Sequence, residues 1–461
     1  MKNQLMKNIE EKENYVKFHM PGHKGKSFSR LGWERYDTTE IWGTDNLNDP
    51  RSEILVLEED IAKTYGVEKS LITINGSTCG IMASIMGAFD PGDKILIPRN
   101  AHKSVYSALY YGRLNPEYFD PSFDGIFGFP IGLNLDKLDE RLGCIKDIKG
   151  MVVTYPTYYG TCDDLTRLSD ICQKHDVILI VDEAHGAHLK FSGSYPISAV
   201  DVLSDIVVHS THKTLPSLNQ GAVVHINSRR VSEKRIRKHL SMLQTSSPSY
   251  PIILSVASSI NWMKMHGKEK LNQIQMMYDE LRSSLKSSPF EMIRDHIEPE
   301  VFGWDKSKIW LSTGGLKNLG SLLTKNHHIE VEFDDARSIL AMAGMGTEME
   351  DGKRLLEALK SIADENCNIF TRPKCIPESV SYPPYGKKAM ELWEVEKRNK
   401  IRIVEAAGKI SADFITPYPP GIPLVCPGEI ITDEAVEFIR SLRQDQIMGM
   451  DSQGRVDICE E

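Results

Sequence analysis

The chain has 461 residues, 41% hydrophobic and 26% charged, with 55 Lys and Arg against 64 Asp and Glu and a formal net charge of −9 with His neutral. This is an ordinary globular composition, long enough for two to four domains of roughly 100–200 residues each. It excludes a disordered tail protein, a collagen and a small disulfide-stapled domain. The acidic balance argues against nucleic-acid or anionic-membrane partners, which require a basic face; it reads first as a device for solubility, and it also suits a cationic small molecule.

Met1 to Asn14 are charged and polar, without the apolar stretch of a secretory leader. The longest apolar runs, such as Val177–Val181, are far below the ~20 residues that span a bilayer, so no membrane partner is expected. The eight cysteines contain no C-x-x-C pair, and neither zinc nor another metal is expected. These features imply a cytoplasmic enzyme with reduced thiols.

In chain order, residues 1–50 are rich in turn formers, among them Pro21-Gly22, Gly43 and Pro50. A helix is predicted from Ser52 as N-cap, with Leu55, Leu57, Ile61 and Tyr65 on its apolar face and Gly66 as its stop. Strands and helices then alternate. Strands are predicted at Leu71–Ile74, Ile95–Ile97, Met151–Thr154, Val177–Val181, Ile206–Val208 and Ala222–Ile226, with helices at His102–Tyr111 and Asp164–His175. Short apolar runs alternating with helical segments mean βα units and a mostly parallel sheet covered on both faces. A helix-rich stretch runs from Arg229 to about Leu285. Strands Ile309–Ser312, Ile329–Phe333 and Ile339–Met342 and a helix Asp351–Ile362 form a smaller α+β pattern. The last ninety or so residues are Pro-rich, with a helix expected near Lys387–Lys400. The expected division is a segment 1–50, a large domain 51–295, a small α+β domain 296–370 and a C-terminal region 371–461.

Ligands of open α/β sheets sit at the carboxyl ends of strands, so the residues that follow each strand carry the functional argument. After the first comes Gly76-Ser77-Thr78, where free N–H groups, a helix dipole and two hydroxyls can converge on a phosphate. His102 follows the second and could stack on an aromatic cofactor. After Val177–Val181 comes Asp182, a carboxylate that needs a cation such as a pyridinium nitrogen to face it. Lys213 follows Ile206–Val208, where desolvation can make its amine a Schiff-base nucleophile. Each residue alone has a plainer reading: an N-cap, a surface histidine, a capping aspartate, a solvated lysine. Together and in this order they form a pyridoxal phosphate constellation. No G-x-G-x-x-G follows the first strand and no Walker A motif is present, which excludes the dinucleotide and P-loop readings.

The sequence resembles the prokaryotic ornithine/lysine/arginine decarboxylases, in the compact form without an N-terminal receiver-like domain. The matching segments run from Phe18-His19-Met20-Pro21-Gly22-His23-Lys24-Gly25, through Pro98–Ser104, Val181–Gly186 and Ser210–Lys213, to Tyr418–Pro423 and Pro427-Gly428-Glu429. The resemblance implies an α/β, aspartate-aminotransferase-like (fold type I) large domain with a mostly parallel seven-stranded sheet, plus a smaller C-terminal α+β region. It implies pyridoxal 5′-phosphate, with Lys213 as Schiff-base lysine and His212 beside it. By the same resemblance Ser77, Thr78 and Ser210 are phosphate ligands, His102 stacks on the ring, Asp182 pairs with the pyridinium and His185 lies near the ring's 3′-oxygen. Thr245, Ser246 and Ser247 resemble a segment that reaches the phosphate of a partner subunit, which implies a homodimer or larger homo-oligomer.

The implied reaction is α-decarboxylation of a basic amino acid, arginine first and then lysine or ornithine, giving CO₂ and a polyamine-pathway amine. Lys213 or a nearby histidine returns the proton to Cα. Glu40, Asp45, Asp49 and Glu429 are the acids that could meet the substrate's distal cation. The fold also hosts aminotransferases, lyases and racemases, and a non-catalytic relative is a further alternative. Two departures from the family's usual pattern are Pro216 with Asn219-Gln220 after the lysine, and Asn46 where an acid is common.

Overall fold

The computed structural model describes residues 15–18, 44–297, 301–335, 337–367, 370, 383–395, 398–417 and 422–460. The chain divides into two compact units that interleave in sequence, Met1–Ala88 with Thr154–Lys374 and Phe89–Val153 with Cys375–Glu461. The mostly parallel seven-stranded sheet expected from the sequence is present.

In the first unit the sheet strands run in the order Lys69–Thr73, Ala222–Ile226, Ile206–Ser210, Ile178–Asp182. Ile206–Ser210 and Ala222–Ile226 are buried along their whole length, as strands of a sheet covered on both faces are. Ala222–Ile226 is antiparallel to both neighbours, because the short connection 211–221 leaves no room for the crossover a parallel strand needs. The register pairs Val208 with Asp182, Ser210 with Ala222 and Ala222 with Thr73. The carboxyl ends of the three parallel strands therefore lie at one end of the sheet. Helix Gly76–Ala88 packs closely on it. A Cβ at Gly80 would lie 2.9 Å from Val208 Cγ1 and 3.0 Å from Val224 Cγ2, so only glycine allows this approach without displacement.

Helix Glu53–Tyr65 ends at Gly66 in the left-handed conformation, φ 75°, as expected. Its start differs from expectation. The Ser52 side chain makes no capping bond; instead the Asp45 carboxylate accepts the N–H groups of Ser52 and Ile54 at 2.8 and 3.1 Å. The helix-rich stretch forms two helices, Glu233–Leu243 and Tyr250–Leu285. In the small sheet, Lys308–Ser312 and Phe333–Asp334 flank Ser338–Met342, all antiparallel. The strand expected at Ile329–Phe333 breaks at Glu332: Ile329–Val331 pairs in parallel with Val16–Phe18, and Phe333–Asp334 pairs with Ile339 and Leu340. Helix Met349–Glu365 closes this part of the unit.

In the second unit Lys94–Pro98 lies between Asn115–Phe119 and Ile148–Thr154, parallel to both. The helix expected near Lys387–Lys400 is not formed among its described residues. Arg398–Arg402 is a strand, antiparallel to Arg455–Cys459. Leu392 and Val395 are buried at a three-residue spacing that imitates a helix, but they do so from a turn. The C-terminal core gathers Ile415, Leu424, Val425, Ile431, Ile439 and Val456.

Candidate active site

At the sheet end of the first unit, three strand termini present chemistry together. Asp182 closes its strand and is buried, its Oδ1 accepting Ala184 N–H at 3.2 Å. Ile206–Ser210 leads into the short helix Thr211–Thr214, which carries His212 and Lys213. Lys213 Nζ lies 3.0 Å from His185 Nε2. Burial lowers the basicity of Lys213, against the opposing pull of the Asp182 and Glu332 carboxylates. His212 Nδ1 is 2.9 Å from the Gly221 carbonyl. A carbonyl only accepts, so this ring nitrogen carries the hydrogen and Nε2 is left as an acceptor. Desolvation lowers the pKa of His212, which favours this neutral form.

The hydroxyl pair lies on the same unit. Ser210 Oγ donates to Ser77 Oγ at 2.7 Å, joining a strand terminus to the N-terminus of helix Gly76–Ala88. Gly76 has φ +73°, and a Cβ there would meet nothing within 4 Å, so the turn has open space over it. Ser77 is half-buried and Thr78 exposed. This donor set fits a phosphorylated pyridine aldehyde: an amine for the carbonyl, a buried carboxylate for the ring nitrogen, and hydroxyls at a helix N-terminus for the phosphate.

The other expected residues stand as follows. His102 caps helix Lys103–Gly112 in the second unit, its Nδ1 accepting Ser104 N–H at 3.2 Å, and its side chain is exposed. Thr245, Ser246 and Ser247 are exposed between two helices. Asp45 uses its carboxylate on backbone N–H groups of Asn46, Arg51, Ser52 and Ile54, which together outweigh burial and lower its pKa. Glu429 is buried in the second unit, where Arg99 engages both its oxygens, one at 3.0 Å, so its charge is already matched. Glu40, the His19–Gly25 segment and Tyr418–Gly421 lie outside the described residues.

Three residues of the cluster were missed by the sequence reading. Lys308, fully buried at the start of an apolar strand, places Nζ 3.1 Å from His185 Nδ1. Tyr158 packs edge-on to the His185 ring with centroids 5.4 Å apart, and its hydroxyl donates to Glu332 at 3.1 Å. The available signals were a lysine directly before an apolar strand and an acid that interrupts one. No helix among the described residues is long and apolar enough to cross a membrane.

The Orn/Lys/Arg decarboxylase major-domain family matches residues 1–317, and the C-terminal domain of the same family matches residues 376–449. The chain is 30% identical over 449 residues to an arginine decarboxylase of Halalkalibacterium halodurans, covering 93% of this chain and 90% of that one. In fold it is similar to the lysine decarboxylase LdcF of Francisella novicida, with TM-score 0.75, 22% identity, and coverage of 90% of this chain and 73% of that one. It also shares the fold of a structure described as "SPT with PLP, N100Y", at TM-score 0.54, 15% identity, and coverage of 67% and 76%.

Proposed function

Because the chain belongs to the Orn/Lys/Arg decarboxylase family, we propose that it removes the α-carboxyl group of a basic amino acid, arginine first and lysine or ornithine next, using pyridoxal 5′-phosphate. The observation that carries this reading is the Lys213 amine, lowered in basicity and in contact with His185, on the same unit as the Asp182 carboxylate and the Ser77–Ser210 hydroxyl pair. Lys213 would hold the cofactor's aldehyde carbon, Asp182 its ring nitrogen, and Ser77, Thr78 and Ser210 its phosphate. His102, and Thr245 from a second subunit of a homodimer, are assigned to the ring and the phosphate on the family resemblance.

When bound, the cofactor supplies an electron sink for the pair left on Cα as CO₂ departs. The chain does the rest. Asp182 holds a positive partner at the strand end. Each turnover replaces a carboxylate by a proton, so the site must deliver one to Cα. Lys213 Nζ, hydrogen-bonded to His185, is placed to hold that proton, with His212 as its neighbour on the same helical turn. A location in the cytoplasm suits the described cysteines, all of which are free thiols.

The test is amine and CO₂ release over a panel of amino acids with added pyridoxal phosphate. Lys213→Ala should lose turnover by about 10²–10⁴-fold, and borohydride should no longer fix the cofactor to the Lys213 peptide. Keto-acid product in place of amine and CO₂, or full turnover by the alanine variant, would overturn the reading.

A further inference from the structure

Two of the segments that carry the family resemblance, Pro98–Ser104 and Pro427-Gly428-Glu429, meet inside the second unit. The proposed chemistry uses only His102 from the pair. Cys426-Pro427-Gly428-Glu429 is a tight turn, with Glu429 N–H donating to the Cys426 carbonyl at 3.1 Å. Proline second and glycine third is the type II pattern, and Gly428 has the positive φ it needs, +86°. A Cβ at Gly428 would also lie 2.4 Å from the Met390 carbonyl oxygen, so glycine is required here for space as well. The turn brings the Glu429 carboxylate back onto Cys426 N–H at 2.9 Å and presents both its oxygens to the Arg99 guanidinium.

Arg99 is the root of the loop that follows strand Lys94–Pro98, and it is fixed at three points. Its N–H donates to the Phe119 carbonyl at 3.1 Å, its carbonyl accepts the Tyr106 hydroxyl at 2.9 Å, and its buried side chain is gripped by Glu429. His102 lies three residues on. Its carbonyl accepts Val105 N–H at 2.9 Å and its Nδ1 accepts Ser104 N–H at 3.2 Å, while its side chain is exposed. An exposed ring thus stands on a loop whose buried root is set by the C-terminal turn. We infer that Arg99 and Glu429 are positioning residues for His102: the Pro-Gly-Glu turn fixes the loop root and through it the aim of the His102 ring. The inference rests on the assignment of His102 to the cofactor ring in the proposed function, and it adds the C-terminal region to that site. Stacking of two rings depends on their relative placement, and small misplacements are costly.

The test titrates pyridoxal phosphate into the full-length chain, followed by its absorbance. Glu429→Gln keeps an acceptor and removes the charge that grips Arg99. It should raise the cofactor Kd about 10-fold, while KM for arginine at saturating cofactor moves less than about 3-fold. His102→Ala should also raise the Kd, and in that background Glu429→Gln should add less than about 2-fold. An equal rise in both backgrounds would overturn the inference, as would a raised KM without a raised Kd. A His102→Ala variant that binds the cofactor like wild type would instead strike the assignment of His102, and the inference with it. Tyr106→Phe leaves the ion pair and frees the Arg99 carbonyl; it should raise the Kd in the same His102-dependent way even if the glutamine variant does not fold. Hydrogen exchange without cofactor gives a readout apart from binding. In Glu429→Gln the Ala101, Ser104 and Val105 N–H groups should exchange faster, with strand Lys94–Pro98 unchanged. Uniform acceleration across the unit would mean that the pair only stabilises the fold. Failure of the proposed function reads differently, as cofactor fixed by borohydride to a lysine other than Lys213.

Discussion

Of the residues that follow strand Lys94–Pro98, Arg99 rather than His102 is drawn into the interior. Its guanidinium lies 4.3 Å from the Tyr118 ring centroid and 3.9 Å from that of Tyr385, and it grips both oxygens of Glu429. Cys426 N–H adds a bond to Glu429 at 2.9 Å. Burial opposes the charge on Arg99, but Cys426 and Glu429 facing it outweigh that cost and hold the group protonated. The pair is bidentate and one carboxylate oxygen takes a further bond from Cys426, while Arg99 Nε is buried without a partner among the described residues. Glu429→Ala should therefore cost about 3–5 kcal/mol of stability by stranding the guanidinium. Glu429→Gln, which keeps an acceptor, should cost less. Urea unfolding measures both. A glutamine variant with unchanged stability and a raised KM for the amino acid would instead assign Glu429 to substrate, as the family resemblance implies.

At the scale of elements, the sheet of the first unit carries a second polar array beneath its strand ends. Ser70, His225, His209 and Glu183 come from four neighbouring strands or their ends and are linked in series at 2.8, 3.0 and 2.5 Å. All four are buried. Glu183 also accepts from Ser198 Oγ and Ala199 N–H at 2.8 and 2.9 Å. Burial raises Glu183 to about 8 and lowers His209 to about 3, so at neutral pH the pair is uncharged, with its proton on the carboxyl. A carboxyl whose folded pKa is raised stabilises fully below its ordinary value of 4.5, and that contribution is lost as pH rises through 8. Glu183→Gln keeps a donor toward His209 without titrating. The stability of wild type relative to this variant should therefore fall steadily from pH 4.5 to 8 in denaturant titrations; parallel curves would show that Glu183 is ionised in the fold. The sequence made the strand ends legible because Asp182 and Lys213 each follow an uninterrupted apolar run. It hid this array for the same reason: His209 and His225 are single polar residues within Val-Val-His strands, and only the register between strands brings them together. Lys308 was hidden likewise, since its neighbours His185 and Gly160 are distant in sequence. Where a helix was expected near Lys387–Lys400, the described residues form a turn at Leu392 and the strand Arg398–Arg402.

For the whole molecule, the linear order of the sequence conceals how the chain is grouped, since each compact unit is built from two separated stretches. Within the first unit the proposed cofactor ligands come from three segments far apart in sequence, Gly76–Thr78, Asp182–His185 and Ser210–Lys213, which only the sheet register holds level. A ligand that bridges three such segments stabilises them as one, because it binds the folded unit and not the open chain. At a concentration 100-fold above its dissociation constant, pyridoxal phosphate should add about 2.7 kcal/mol to the unfolding free energy. Its removal should lower the melting temperature accordingly. Hydrogen exchange should slow in all three segments together when the cofactor is added, and Lys213→Ala should weaken the effect in all three rather than only near residue 213, because the loss is one of occupancy. Protection confined to a single segment, with the cofactor demonstrably bound, would mean that the strand ends do not form one binding site.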